Sequence, residues 1–159
     1  MVEIQLLLLL LIANGAPIIA FLLLKERWAF PLDRGRVLRD GQRLLGKSCT
    51  LRGWLASAAA TALAAIILDI PLETGLVLAL LAMTGDALSS FVKRRLRLAP
   101  GHRAPGLDQV PESLLPLIGV SHHFDLSAMD IGLIVTGFFL LDVLLSPILY
   151  WLKLRKDPH

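Results

Sequence analysis

Asp86 stands at the end of the apolar run Leu76–Thr84, directly after Gly85. Ser89-Ser90-Phe91 and the basic cluster Lys93-Arg94-Arg95 follow it. On a helix Asp86, Ser90 and Lys93 are spaced i, i+4, i+7 and project from one face. A charge held at membrane depth costs roughly 2.5–3.5 kcal/mol on insertion scales, so it reads first as a functional group with a cationic partner. A carboxylate beside three cations at a membrane surface suits a metal ion and phosphate groups meeting lipid. The plainer readings are a helix-end Asp86 paired with a neighbouring cation, and Lys93-Arg94-Arg95 as topology anchors.

Two further segments could join that chemistry. Gly41-Gln42-Arg43-Leu44-Leu45-Gly46-Lys47-Ser48 matches the phosphate-loop pattern letter for letter. It lacks the strand and surrounding α/β sheet that the motif requires, so a nucleotide-hydrolase fold of that kind is not expected. Glycines that let backbone amides approach phosphate, and a lysine as a point charge, do not depend on that fold. Thr50, Arg52 and Gly53 extend the element into the next helix, whose N-terminal end favours an anion. Downstream, Pro100-Gly101 and Pro105-Gly106-Leu107-Asp108-Gln109 punctuate a structured loop. Asp86 and Asp108 thus bracket a basic segment as two hard oxygen ligands, the composition of a magnesium–triphosphate site. There a metal would screen phosphate charge, and arginine and lysine would hold phosphate oxygens.

The elements that carry these residues follow from composition. Of 159 residues 55% are hydrophobic and 18% charged, and mean hydropathy is +0.68, too apolar for an ordinary soluble domain. Apolar runs at 4–24, 54–72, 74–92 and 129–152 are long enough to cross a bilayer. The expected class is all-α: one polytopic membrane bundle covering 1–159, with functional loops at 25–53 and 93–109. The first run carries Glu3 in place of a basic leader and exceeds the usual ~7–15 apolar residues, so it is expected to stay as a helix rather than be cleaved.

All sixteen basic residues fall in three clusters: 25–52 between the first two runs, 93–103 after the third, and Lys153, Arg155 and Lys156 in the tail. By the positive-inside rule these are cytoplasmic and the N-terminus is outside. That arrangement needs five crossings of the cell membrane, so a short or re-entrant helix is expected at 110–126, despite Pro111 and Pro116. Ala56 to Ala62 make a narrow second helix for close packing. Pro17 invites a kink in the first, where Asn14 offers either an interhelical hydrogen bond or a contact to a ligand. Cys49 is the lone cysteine, with no disulfide partner and no zinc set, and reads as a small loop filler. Asp142 is open between an interior hydrogen bond and a second metal-proximal carboxylate. His122 and His123 point about 100° apart on a helix and read as surface residues.

Gly85-Asp86-x-x-x-Ser90-Phe91-x-Lys93-Arg94-Arg95, then Pro100-Gly101 and Pro105-x-Leu107-Asp108-Gln109, resemble the signature of the CDP-archaeol synthase family. Asp40-Gly41 to Gly46-Lys47-Ser48-x-Thr50-x-Arg52-Gly53 resembles that family's first cytoplasmic loop, and Asn14-x-Ala16-Pro17 its first helix. The ending Pro147…Tyr150…Leu154 is a weaker match. The resemblance implies a five-helix enzyme that uses magnesium to transfer the cytidylyl group of CTP to a phospholipid phosphate, releasing pyrophosphate. It implies Asp86 and Asp108 as metal ligands, with Lys93 and Arg94 completing the catalytic set. Asn14, Gly46, Lys47, Ser48, Thr50, Arg52, Ser90, Arg95 and Gln109 would bind nucleotide and phosphate. Where the family pattern carries a further Asp two residues after Asp-Gln, this chain has Pro111 and then Glu112. If the absent carboxylate binds metal or cytosine, Glu112 must replace it or activity is weakened.

An archaetidic acid-like ether lipid and ordinary phosphatidate both stay open as substrates. So does a protein of the same fold that binds nucleotide or anionic lipid with lost or altered chemistry. A transporter or scaffold would pair polar residues near mid-membrane. Here most polar residues collect at one end, which favours chemistry at a membrane surface.

Overall fold

The chain folds as five helices in a computed structural model that describes residues 1–98 and 104–151; from 146 onward only the backbone is described. They are α1 (Val2–Leu24), α2 (Leu51–Ile67), α3 (Leu72–Arg95), α4 (Gln109–Phe124) and α5 (Ala128–Trp151). Among the described residues there is no strand beyond two isolated bridges, Pro31 with Thr50 and Val37 with Arg43. The all-helical expectation holds. Pro100, Gly101 and Arg103, and the tail residues Lys153, Leu154, Arg155 and Lys156, lie outside the described residues.

Among the described residues three helices are individually long and apolar enough to cross a membrane: Val2–Leu24, Leu72–Arg95 and Ala128–Leu145. The 17-residue α2 is a shorter apolar helix. The 16 residues of α4 rise about 24 Å, short of the ~30 Å apolar thickness of a bilayer. Pro111 does not interrupt α4. It sits in the first turn, where its missing N–H would have no helical partner anyway. α1 likewise runs through Pro17. His122 and His123 are exposed in the last turn of α4.

The core is a knot of Leu6, Leu9, Leu10, Leu78, Leu117 and Phe138, drawn from α1, α3, α4 and α5. Small residues let the helices close on one another. A Cβ on Gly75 of α3 would lie 2.6 Å from the Ala65 Cβ of α2. A Cβ on Gly53 of α2 would lie 3.3 Å from that of Pro17 in α1. α3 makes its most extensive pairing with α4. At that crossing a Cβ on Gly85 would fall on the Pro111 carbonyl and 2.7 Å from the Glu112 Cα.

α3 ends on Leu96, and Arg97 follows with φ 56°. The Leu98 N–H then returns to the Lys93 carbonyl at 3.0 Å, a closure that glycine usually makes. The left-handed conformation costs a non-glycine residue about 1–2 kcal/mol. Asp125 ends α4 in the left-handed conformation, and Lys25 ends α1 with φ 48° and ψ −119°.

Candidate active site

The segment 25–50 is built around a residue that the sequence reading did not single out. Asp33 is 4% exposed. Its carboxylate accepts from Arg43 Nη2 at 2.6 Å and Nε at 3.3 Å, and from the backbone N–H groups of Gly35 at 2.9 Å and Leu45 at 3.1 Å. Burial alone would raise its pKa. The Arg43 guanidinium and the two N–H groups outweigh that and hold the carboxyl below the usual range. Asp33→Ala is expected to cost about 2–3 kcal/mol, the scale of hydrogen bonds to a charged group, read as a lower thermal midpoint. Because the folded pKa is depressed, this stabilisation is complete above the ordinary carboxylate range and is lost as pH falls through the depressed value. The midpoint difference between wild type and Asp33→Ala should therefore shrink on acidification.

Several predicted phosphate-handling residues are committed to this architecture. Thr50 caps α2, its hydroxyl accepting from the Gly53 N–H at 3.2 Å. Buried Arg52 donates from Nη1 to the carbonyls of Lys25 at 2.7 Å and Arg27 at 2.6 Å, satisfying chain ends beyond α1, and lies over the Phe21 ring. Arg95 pins the loop to α3: it donates to the Arg43 carbonyl at 2.6 Å, pairs with Asp40 at 2.7 Å and covers the Phe91 ring. Asn14 donates to the Leu10 carbonyl of its own helix at 3.0 Å.

Held this way, the loop presents 46–49 to the polar end of α3. A Cβ on Gly46 would lie 3.5 Å from Ser90 Oγ, at van der Waals contact, so the loop backbone packs directly against α3. The Cys49 thiol, 2% exposed, donates to Asp86 Oδ2 at 3.3 Å and lies 3.4 Å from Ser90 Oγ. Burial, then the Asp86 charge, push that thiol up to about 12, so it stays protonated as a donor. Cys49 is therefore no filler: it links the loop to the carboxylate of central interest. Lys47 and Ser48 beside it are exposed.

The second loop delivers the remaining groups. Asp108, next to α4, accepts the Ala104 N–H at 3.1 Å, and its other oxygen lies 2.7 Å from Lys93 Nζ. Buried Gln109 accepts the Gly106 N–H on its carbonyl oxygen at 2.8 Å and donates to Asp142 of α5 at 2.8 Å. Asp142 is thus an interior hydrogen-bond acceptor that also faces the site. Because Gly85 admits α4 at contact distance, Glu112 enters the same neighbourhood. It interacts electrostatically with Asp86, Asp108 and Asp142, and with Lys93. The structure thereby gathers Asp86, Ser90, Lys93, Asp108 and Gln109 together with Glu112 and Cys49. Arg94 is buried and engaged within the structure, and it lines an adjoining cleft with Gly46 and Lys47.

Across residues 1–159 the sequence matches the model of the CarS-like family, described as CDP-archaeol synthase. The chain belongs to the CDP-archaeol synthase family. It is similar to the CDP-archaeol synthase of Pyrococcus furiosus, 33% identical over 149 residues that cover 87% of this chain and 81% of the relative. It is also similar to that of Sulfurisphaera tokodaii, 34% identical over 155 residues, covering 93% and 89%. Its fold is similar to a solved structure described as an intramembrane enzyme for archaeal membrane lipids biosynthesis. The TM-score there is 0.71 at 34% identity, covering 88% of this chain and 89% of that one. As a CDP-archaeol synthase family member the chain is a membrane-embedded nucleotidyltransferase, the enzyme class that the motif resemblance implied.

In this family member the donor set suits a hard cation. Asp86, Asp108 and Glu112 offer carboxylate oxygens, yet among the described residues no three acidic, histidine or cysteine side chains already converge as a ligand cage. Magnesium is commonly held by one or two carboxylates plus substrate phosphates and water. The residues present therefore fit an ion that arrives with a nucleotide.

Proposed function

We propose that the protein transfers the cytidylyl group of CTP to the phosphate of an ether-linked, archaetidic acid-like lipid, giving a CDP-activated lipid and pyrophosphate. One observation carries this reading most strongly. Asp86 and Glu112 interact electrostatically across the Gly85–Pro111 crossing, Asp108 acts on both, and the glycine- and lysine-bearing loop 46–49 packs directly against Asp86. Carboxylates for a divalent cation and cations for phosphate thus share one end of an apolar bundle, where a water-soluble nucleotide and a lipid headgroup can meet.

Asp86 and Asp108 would hold magnesium, with Glu112 supplying the carboxylate displaced by Pro111; the ion supplies charge neutralisation along the phosphates. Lys93 and Arg94 stabilise negative charge as it moves toward the leaving group. Gly46 lets the loop backbone approach phosphate, and Cys49, itself against Ser90, donates to the Asp86 carboxylate. The lipid phosphate oxygen attacks the α-phosphorus, and the bond from that phosphorus to the bridging oxygen breaks. No covalent enzyme intermediate is needed, and catalysis rests on positioning and electrostatics. Charge placement supports a cytoplasmic site with the N-terminus on the opposite face.

The test is turnover with a matched substrate panel. Purified protein, magnesium and CTP should consume an ether-linked lipid phosphate faster than the ester-linked phosphatidate of equal chain length, and CTP should be preferred to UTP. Equal rates with both lipids would remove the ether-lipid assignment. Nucleotide binding without any lipid-dependent turnover would favour the reading in which the chemistry has been lost.

A further inference from the structure

Beside the carboxylate cluster, the loop 42–47 and the end of α3 enclose a shallow cleft of about 180 Å³. Its cationic lining is Arg43, Lys47, Arg94 and Arg97, with Gly46 at the border facing Ser90. Arg43 is committed to Asp33 and Arg94 is engaged within the structure. Lys47 and Arg97 have no ion-pair partner among the described residues, and both are exposed. Arg97 also occupies the left-handed position that ends α3, where glycine would be unstrained. Two exposed cations without an ion-pair partner, one of them on a strained backbone position, in a cleft whose described lining holds no acidic residue, point to an anionic ligand.

The cleft is too small for a whole nucleotide, since ligand pockets run to roughly 300–1,000 Å³. It adjoins the reacting centre through Gly46, Ser90 and Cys49, which leads directly to Asp86. We infer that Arg97, with Lys47, forms a subsite for the β- and γ-phosphates of the nucleotide and hence for the departing pyrophosphate. This rests on the cytidylyltransferase reading above. As the lipid phosphate oxygen bonds to the α-phosphorus, the bridging oxygen leaves with its electron pair on pyrophosphate, and the added negative charge falls in this cleft. Arg97 is then a binding residue for the leaving group, absent from the Lys93-Arg94-Arg95 motif.

The experiment compares the full-length wild type with Arg97→Gly and Arg97→Lys. Glycine suits the local backbone, so Arg97→Gly should fold with an unchanged or higher thermal midpoint. Loss of one partly exposed charge-assisted contact should raise the inhibition constant of pyrophosphate and the KM for CTP about tenfold. CMP, which has no β-phosphate, should inhibit both proteins equally, and Arg97→Lys should recover part of the loss. Calorimetric titration with magnesium pyrophosphate gives the same comparison without turnover. A wild type that binds pyrophosphate in an Arg97-dependent way but does not turn over CTP would count against the reaction and leave the subsite standing. An active Arg97→Gly enzyme with unchanged pyrophosphate binding, or with CMP binding weakened equally, would overturn the subsite.

Discussion

Asp86→Asn is expected to lower CTP turnover by about 10²–10³-fold, the scale on which loss of one preorganised electrostatic contact is felt. Asparagine keeps the size of the side chain and an oxygen that can accept from the Cys49 thiol, which lies 3.3 Å from the present carboxylate. The contact between the first loop and α3 should survive, and the thermal midpoint should stay within a few degrees of wild type. What disappears is the charge. Asp86 is the carboxylate at the point where α3, α4 and the first loop meet, and it acts on Glu112 across the helix crossing. If it holds the metal, raising magnesium should recover part of the lost rate. A fully active Asp86→Asn would remove Asp86 from the chemistry.

The second large effect is expected at a residue that carries no chemistry at all. In Gly85→Ala the new methyl would meet the backbone of Pro111 and Glu112. Backbone cannot swing aside as a side-chain tip can, so α4 must shift. Overpacking of this kind costs typically about 1–3 kcal/mol. A displacement near 1 Å at a reacting centre can cost about 10²-fold in rate. The variant should therefore lose stability and activity together, with the larger loss in activity, since Asp108 and Glu112 both travel with α4. The control is Gly15→Ala on α1, where nothing lies within 4 Å of the added Cβ. It should keep both properties, and equal damage from the two substitutions would show that crowding at the crossing is not the cause.

The fold was open to reading because apolar length and basic clustering are one-dimensional signals. The four runs at 4–24, 54–72, 74–92 and 129–152 correspond to α1, α2, α3 and α5 with ends displaced by a few residues. The weak segment after Val110 forms α4 because a proline in a first turn breaks no helical hydrogen bond. In the site, Asp86, Ser90 and Lys93 share a face by periodicity alone, and Asp108 was legible from its place beside Pro105-Gly106.

Other features depended on long-range contacts that no spacing encodes. Asp33 looks like one acidic residue in a basic loop until Arg43 and Leu45 close upon it. Arg52 and Arg95 have the composition of phosphate ligands, yet carbonyls and Asp40 claim them. Cys49 lies 37 residues from Asp86 in sequence and within a hydrogen bond of it in space. The value of Gly85 shows only when α4 crosses at Pro111, and the same crossing brings Glu112 to the site.

The most direct measurement of the central claim follows the label of CTP. With α-labelled CTP, magnesium and an ether-linked lipid phosphate in detergent micelles, the label should appear in the lipid. Pyrophosphate should be released in equal amount, and both products should vanish when the lipid phosphate or the magnesium is left out. Label that stays in water-soluble nucleotide while pyrophosphate accumulates, or no turnover by the wild-type protein under these conditions, would contradict a cytidylyl transfer at the Asp86–Asp108 site.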